Sequence, residues 1–321
     1  MSLVRPPFRT SSGHDIPYSC RFNDNDTARM TRTMAAATNQ NVNTISVWIK
    51  RSTITPPSTD FRIINAGASN RTSLTLNGSF SLTWGSTGIS QSRVTTQLVR
   101  DSTAWMHIVA GMDIENATAA NRSYIEINGV RVTDLATETN AAQNTNPTNW
   151  NEAIEHEIGG LAGAAGRHFD GYMAEFIFVD GQALTSSDFG EFSDQNSAVW
   201  IPKAYTGTYG TNGFFLDFAD STTLGNDVSG NNNDWTPTNI TATDQSSDTP
   251  TNNHAVLNNL NPWNGTFSNG NKVITTGTQD GAQSTLAIPK TGKWYWEVTL
   301  DADNGTGASG RAHIGIMNTD K

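Results

Sequence analysis

Short runs of alternating apolar and polar positions recur along the chain, separated by turn-forming pairs. Thr44–Arg51 (TISVWIKR) sets Ile45, Val47 and Ile49 on one face. Phe61–Asn65 and Ser73–Leu76 follow, and Asn77-Gly78 joins the second of these to Phe80–Trp84 as a hairpin. Trp105–Ile114 predicts a longer strand. Ser123–Ile127, Asn128-Gly129 and Val130–Leu135 predict a second hairpin, and His156–Gly160 a short strand entering a glycine-rich turn. Phe169–Ser193 is the most informative stretch. It predicts a turn at Asp170-Gly171, a strand over Tyr172–Val179 and a second turn at Asp180-Gly181. Strict alternation puts Tyr172, Ala174, Phe176 and Phe178 on one face, and Met173, Glu175, Ile177 and Val179 on the other. Both faces are largely apolar, so this strand is expected to be central and covered on both sides, with Glu175 in need of a polar partner.

Many short strands, frequent turn signals and little helical periodicity predict an all-β, antiparallel β-sandwich. A β-helix is the competing reading, but no fixed repeat period supports it. Phe214–Phe218 predicts one further strand. Residues 226–271 are rich in Asn, Thr, Asp and Ser and read as a long ordered loop or an extended linker. Lys293–Leu300 and His313–Met317 then restart the strand pattern as the first strands of a second β-sandwich. The division expected is an N-terminal arm (1–18), a sandwich (19–200), a connecting segment with one strand (201–280) and the start of a second β domain (281–321).

Composition narrows the function classes. Hydrophobic residues are 36% and charged residues 16% of the 321, yet the chain holds 9 Trp and 13 Phe, enough to fill a sandwich core. A net charge of −10 argues against nucleic acid or anionic lipid as a partner and leaves neutral glycans open. The single cysteine, Cys20, excludes an internal disulfide and points to synthesis in a reducing cytoplasm. No signal peptide is visible in MSLVRPPFRT, and no apolar stretch reaches membrane-spanning length, so membrane insertion is not expected.

Candidate chemistry is sparse. A glycosidase needs a close carboxylate pair, and the candidates are Asp113 and Glu115 in MDIEN, which would share a strand face, and Glu152, Glu155 and Glu157 in EAIEHE. The competing reading is a solvated strand end. Asp227, Ser229, Asn231 and Asn233 offer oxygen at alternate positions, as a structural calcium loop does; an Asx-turn network uses the same residues. Asn232 stands where an EF-hand loop has glycine, and no bidentate Glu follows. His156 and His168 flank the glycine-rich turn and form at most a weak metal signal. Trp150, Trp200, Trp235 and Trp263 fall in or beside predicted loops and are candidates for stacking on a sugar, or for packing.

The order TISVWIKR, DSTAWMHIVAGMD, SYIEINGVRV, HEIGG and FDGYMAEFIFVDGQAL resembles laminin-G-like, concanavalin-A-like jelly rolls. Trp48, Trp105, His107, Asn128-Gly129, Gly171 and Glu175 carry that resemblance. AVWIPKAYTGTYGTNGFFLDFAD and DVSGNNNDWTPTN are similar to segments of marine bacteriophage proteins, in which a laminin-G-like domain precedes a SPRY domain. TGKWYWEVTL and AHIGIM resemble the opening strands of the latter. The resemblance covers about Ser19 to the end. It implies a virion structural protein, of tail-fibre or spike type, located in the phage particle. Its expected partners are other virion proteins, copies of itself (a trimer, by analogy with fibres) and a host cell-surface glycan. A capsid decoration protein and a glycan depolymerase are the alternatives. Within this reading the arm up to Tyr18 is a virion anchor, with Phe8 as an apolar plug and Arg5 and Arg9 pairing with carboxylates.

Overall fold

The computed structural model describes residues 14–55, 57, 59–67, 71–164, 166–194, 196–260, 265–276, 281–288, 293, 295–300 and 314–316. Arg5, Phe8 and Arg9 of the expected anchor, and Trp263, lie outside these residues. The chain begins with β1 (Ser19–Phe22), β2 (Arg29–Thr33), β3 (Val42–Arg51), β4 (Asp60–Ala66), β5 (Thr72–Asn77), β6 (Ser81–Ser86) and β7 (Gln91–Leu98). It continues through β8 (Met106–Asp113), β9 (Ser123–Ile127), β10 (Val130–Arg131), β11 (Leu135–Thr139), β12 (Glu155–Ile158) and β13 (Gly171–Asp180). Then come β14 (Gly190–Ser193), β15 (Asn196–Pro202), β16 (Phe214–Leu216), β17 (Thr236–Thr238), β18 (Gln245–Ser246), β19 (Thr266–Ser268) and β20 (Val273–Thr275).

Two eight-stranded antiparallel sheets face each other. The first runs β10-β9-β8-β3-β13-β1-β18, with β16 also on β13; the second runs β11-β7-β6-β5-β4-β12-β2-β17. The fold is thus the all-β antiparallel sandwich that the alternation predicts. Ile45, Val47 and Ile49 of β3 turn inward as expected, onto Leu74, Leu76, Leu82 and Trp84 of the second sheet. Each fully buried side chain of this size stabilises by about 1.5–3 kcal/mol. The Trp84 indole N–H crosses the sandwich to the Gly111 carbonyl (2.9 Å), so this large core residue keeps its polar atom satisfied.

Strand β13 is central, but the face pattern of strict alternation is broken. Its pairing with β3 shifts between Ala174 and Ile177, and Glu175 there has φ +44°. This β-bulge reverses the alternation, because one extra residue moves every later side chain to the opposite face. Met173, Phe176 and Phe178 therefore share the inter-sheet core, while Ala174, Ile177 and Val179 face outward. Along its other edge β13 pairs with β1 at Gly171–Met173 and with β16 at Phe176–Phe178, so the bulge sits between the two. The expected partner of Glu175 is His14, whose Nε2 lies 2.7 Å from Oε1.

Three expectations change. Residues 14–18 belong to the sandwich: Ile16 is buried against Trp48 and Ala174. The segment after 200 joins the same core rather than linking away from it, through Phe214, Phe218, Leu224, Trp235 and Ile240. Short strands β17 and β18 then pair with β2 and β1. The strand predicted over Lys293–Leu300 does not form among the described residues: 295–300 carry no strand geometry, and Tyr295, Val298 and Leu300 are exposed.

The hydrogen bond to Glu175 raises the His14 pKa above 6.5, and burial raises that of Glu175 above 4.5. Both groups bind protons more tightly in the folded state. The stability they contribute is present at low pH and is lost as pH rises through their folded values. Denaturant unfolding of His14→Ala should show a loss of about 1–3 kcal/mol at pH 6, since Glu175 loses its donor. The share of the decline above pH 6.5 that comes from His14 deprotonation should also be missing in this variant, leaving only that of Glu175. An unchanged midpoint at pH 6 would contradict the pairing.

Candidate functional site

The outer face of the first sheet is covered by the chain after β13. Val109, Tyr124, Ile177, Val179 and Phe189 are buried there, with Leu184, Tyr205, Tyr209 and Phe215 half-buried against them. Phe189, Tyr205, Tyr209 and Phe215 form a ladder. Ring centroids are 5.0 Å apart for Phe189–Tyr205, 5.1 Å for Tyr205–Tyr209 and 6.5 Å for Tyr209–Phe215. Beside Tyr209 opens a depression of about 560 Å³, lined by Thr38, Gly207, Thr208, Tyr209, Gly210, Thr211, Ser229 and Asn231. All eight are uncharged.

The groove is held in place by one buried carboxylate at the end of β13. Asp180 accepts the backbone N–H of Thr38 (2.6 Å), Asn39 (3.2 Å) and Asn212 (3.1 Å), and the side-chain amide of Asn151 (2.7 Å). Its own backbone N–H donates to the Tyr209 carbonyl (2.8 Å). Gly210 has φ +77°, and a Cβ there would collide with the Asp180 carbonyl oxygen. Thr211 N–H donates to Thr38 Oγ1 (2.8 Å), which joins the two rims. Asn231 donates both amide hydrogens, to the carbonyls of Gly210 (2.8 Å) and Gly213 (2.9 Å), which leaves Oδ1 as its acceptor. Tyr205 O–H donates to the Thr208 carbonyl (2.9 Å). Burial, with Tyr205 alongside, pushes the Tyr209 pKa up to about 12, so its hydroxyl stays neutral. The site is thus a rigid, neutral groove with an aromatic flank and hydroxyl and amide groups on its walls.

Two of the expected calcium-loop residues, Ser229 and Asn231, line this groove, but the loop is wired as an Asx network. Asp227 accepts Phe215 N (2.8 Å), Ser229 N (2.9 Å), Ser229 Oγ (2.8 Å) and Asn233 N (2.8 Å). Asn233 donates to the carbonyls of Thr211 and Gly213 and accepts from Arg32. The Asp227 oxygens and Asn233 Oδ1 thus all face hydrogen-bond donors. Among the described residues no group of three or more His, Cys, Asp or Glu is placed to hold a metal ion.

The loop tryptophans separate by burial. Trp150 and Trp235 are core residues with no ring face open to a sugar, which corrects the stacking role for both. Trp150 packs edge-on to Trp84 (5.4 Å) and donates to Asn43 (3.1 Å); Trp235 meets Phe214 edge-on (5.0 Å). Trp200 is half-buried on the outer face, with one face on His107 (centroids 6.1 Å) and Nε1 donating to His107 Nδ1 (3.0 Å). His107 therefore carries its proton on Nε2, which donates to Ser46 Oγ (2.8 Å), and burial pushes its pKa down to about 3.

The candidate carboxylates do not share a partner. Asp113 accepts from Asn116, exposed Glu115 from Asn39, and buried Glu157 from Asn65 and Ala162 N; Glu155 is exposed. His156 lies against Trp150 in the core and His168 beside Arg62, so the two histidines do not meet. Sequence reasoning passed over Tyr205, Tyr209 and Thr38. The available signal was TGTYGTNG, an aromatic among small residues.

The family model for the concanavalin A-like lectin/glucanases superfamily of the laminin G type matches residues 23–188. The chain belongs to that family. A Bacteroides ovatus protein is similar at 14% identity over 73% of this chain, with a TM-score of 0.48, and this chain spans 60% of that protein. A pentraxin of Limulus polyphemus matches at 14% identity over 54% of this chain and 80% of its own (TM-score 0.38). Domains LG4-5 of the mouse laminin α1 chain match at 11% over 57% and 48% (TM-score 0.36). No curated protein matches the sequence.

Asp180→Ala should cost about 3 kcal/mol or more in denaturant unfolding, because the buried N–H donors it serves lose their acceptor together. A loss under about 0.5 kcal/mol, the range of an ordinary surface change, would contradict its placing role.

Proposed function

We propose that this chain is a non-enzymatic carbohydrate-binding module that takes a neutral glycan in the Tyr209 groove, carried on a tail-fibre or spike-type appendage of a phage particle. The observation that carries the binding reading is the groove itself. Tyr209 offers an apolar ring beside fixed hydroxyl, amide and carbonyl groups, the combination that a sugar's C–H face and hydroxyls need. No charged side chain lines it, in accord with a neutral ligand. The superfamily name spans lectins and glucanases. The lectin side is favoured because the candidate carboxylates are engaged separately by Asn116, Asn39 and Asn65. The phage placement is supported by the order of segments from Ser19 onward, which resembles phage appendage proteins.

Calorimetric titration with neutral oligosaccharides should give binding insensitive to salt, weakened about tenfold by Tyr209→Ala. Unchanged binding in that variant would remove the groove from the account, and release of reducing ends by the wild-type protein would replace the lectin with a hydrolase. Gold labelling of phage particles against this chain should mark an appendage; label confined to the capsid would favour a decoration protein.

A further inference from the structure

The outer face of the second sheet carries the charge that the groove lacks. Arg62 of β4 and His168 are neighbours across an isolated parallel bridge, and the residues beside them, Phe61 and Phe169, turn into the core. Their side chains therefore stand side by side on the outer face. Arg62 is 0% and His168 2% exposed. Yet Arg62 Nε and Nη1 and both His168 ring nitrogens have no hydrogen-bond partner. Arg51 is likewise buried with unpartnered nitrogens, but its guanidinium lies 3.8 Å over the Phe80 ring, which accounts for it. Arg62 has no such aromatic contact among the described residues.

Arg62 does face one carboxylate, and that carboxylate is shared. Asp60 lies 2.8 Å from Arg62 Nη2, 2.8 Å from Arg167 Nη1 and 3.9 Å from Arg71 Nη2. Three guanidinium groups thus converge on one acid, in a chain of net charge −10. The next carboxylate on this face, Glu157, accepts the Asn65 amide and the Ala162 N–H. Arg29 and Asp24 lie on the far side, near His168. Arg71 and Arg167 side chains are 32% and 25% exposed and so reach solvent, whereas the Arg62 side chain is fully buried and holds Asp60 from the protein side. Buried guanidinium donors are stable when an oxyanion accepts them, and paired guanidinium forks match the spacing of carboxylate and sulfate oxygens.

We propose that Arg62, Arg71 and Arg167, set around Asp60, form an oxyanion site that takes the carboxylate or sulfate group of an acidic saccharide. That the anion is carried on a saccharide rests on the carbohydrate-binding reading above; the site itself lies apart from the Tyr209 groove and shares no residue with it. Asp60 holds the three arginines in orientation while leaving them in positive excess.

The test is calorimetry at constant ionic strength, with a uronic-acid disaccharide, its uncharged methyl ester and inorganic sulfate as competitor. The acid should bind, the ester should bind about tenfold or more weakly, and sulfate should compete. The double variant Arg71→Gln, Arg167→Gln, or Arg167→Gln alone if the double variant does not fold, should lose about tenfold in affinity for the acid. Its binding of neutral oligosaccharide at the groove should not change. Equal binding of acid and ester, binding of sulfate without the acidic disaccharide, or full affinity in the folded variants would overturn the proposal. Loss of neutral binding with arginine-dependent acid binding retained would overturn the groove and leave this site standing.

Discussion

A carboxylate at the end of the central strand governs how the sheet becomes a surface. Asp180 is buried, and an ionised carboxylate in that position is tolerable only if N–H donors surround it. Its donors come from three separate stretches of chain: Thr38 and Asn39 before β3, Asn151 before β12, and Asn212 before β16. Satisfying one charge therefore requires three loops to meet, and where they meet the groove forms. Gly210 is the steric consequence, since no side chain fits between its backbone and the Asp180 carbonyl.

The same strand divides its two faces unequally. The bulge at Glu175 sends Met173, Phe176 and Phe178 into the space between the sheets and leaves Ala174, Ile177 and Val179 outside. An apolar outer face must be covered, and the chain after residue 184 covers it with Phe189, Tyr205, Tyr209 and Phe215. Function in this reading follows from packing. Tyr209, one of the aromatic residues that seal the outer face, is also the one that lines the groove.

Much of the sandwich was legible in the sequence, because the strands that alternate cleanly are those with one face in the core. Ile45, Val47 and Ile49 are the clearest case. Strands β1, β2 and β7 were not read, since SCRF, RMTRT and QSRVTTQL pair long polar side chains with few apolar ones. The bulge was invisible to a rule that assumes period two, and that one residue inverted the face assignment of β13. Trp150 and Trp235 were placed in loops correctly but carried inward by packing that no local pattern announces. The groove was missed for a different reason. Its residues are small and polar, and only long-range bonds from Asp180 and Asn231 bring them together.

The central claim is that a neutral sugar rests on Tyr209, between the rims held by Asp180 and Asn231. A crystal structure of the protein with a bound neutral oligosaccharide tests it most directly. The account predicts a sugar ring against Tyr209, with its hydroxyls within hydrogen-bond distance of Asn231 Oδ1 and Thr211. Sugar density elsewhere on the sandwich, with the groove empty, would contradict it.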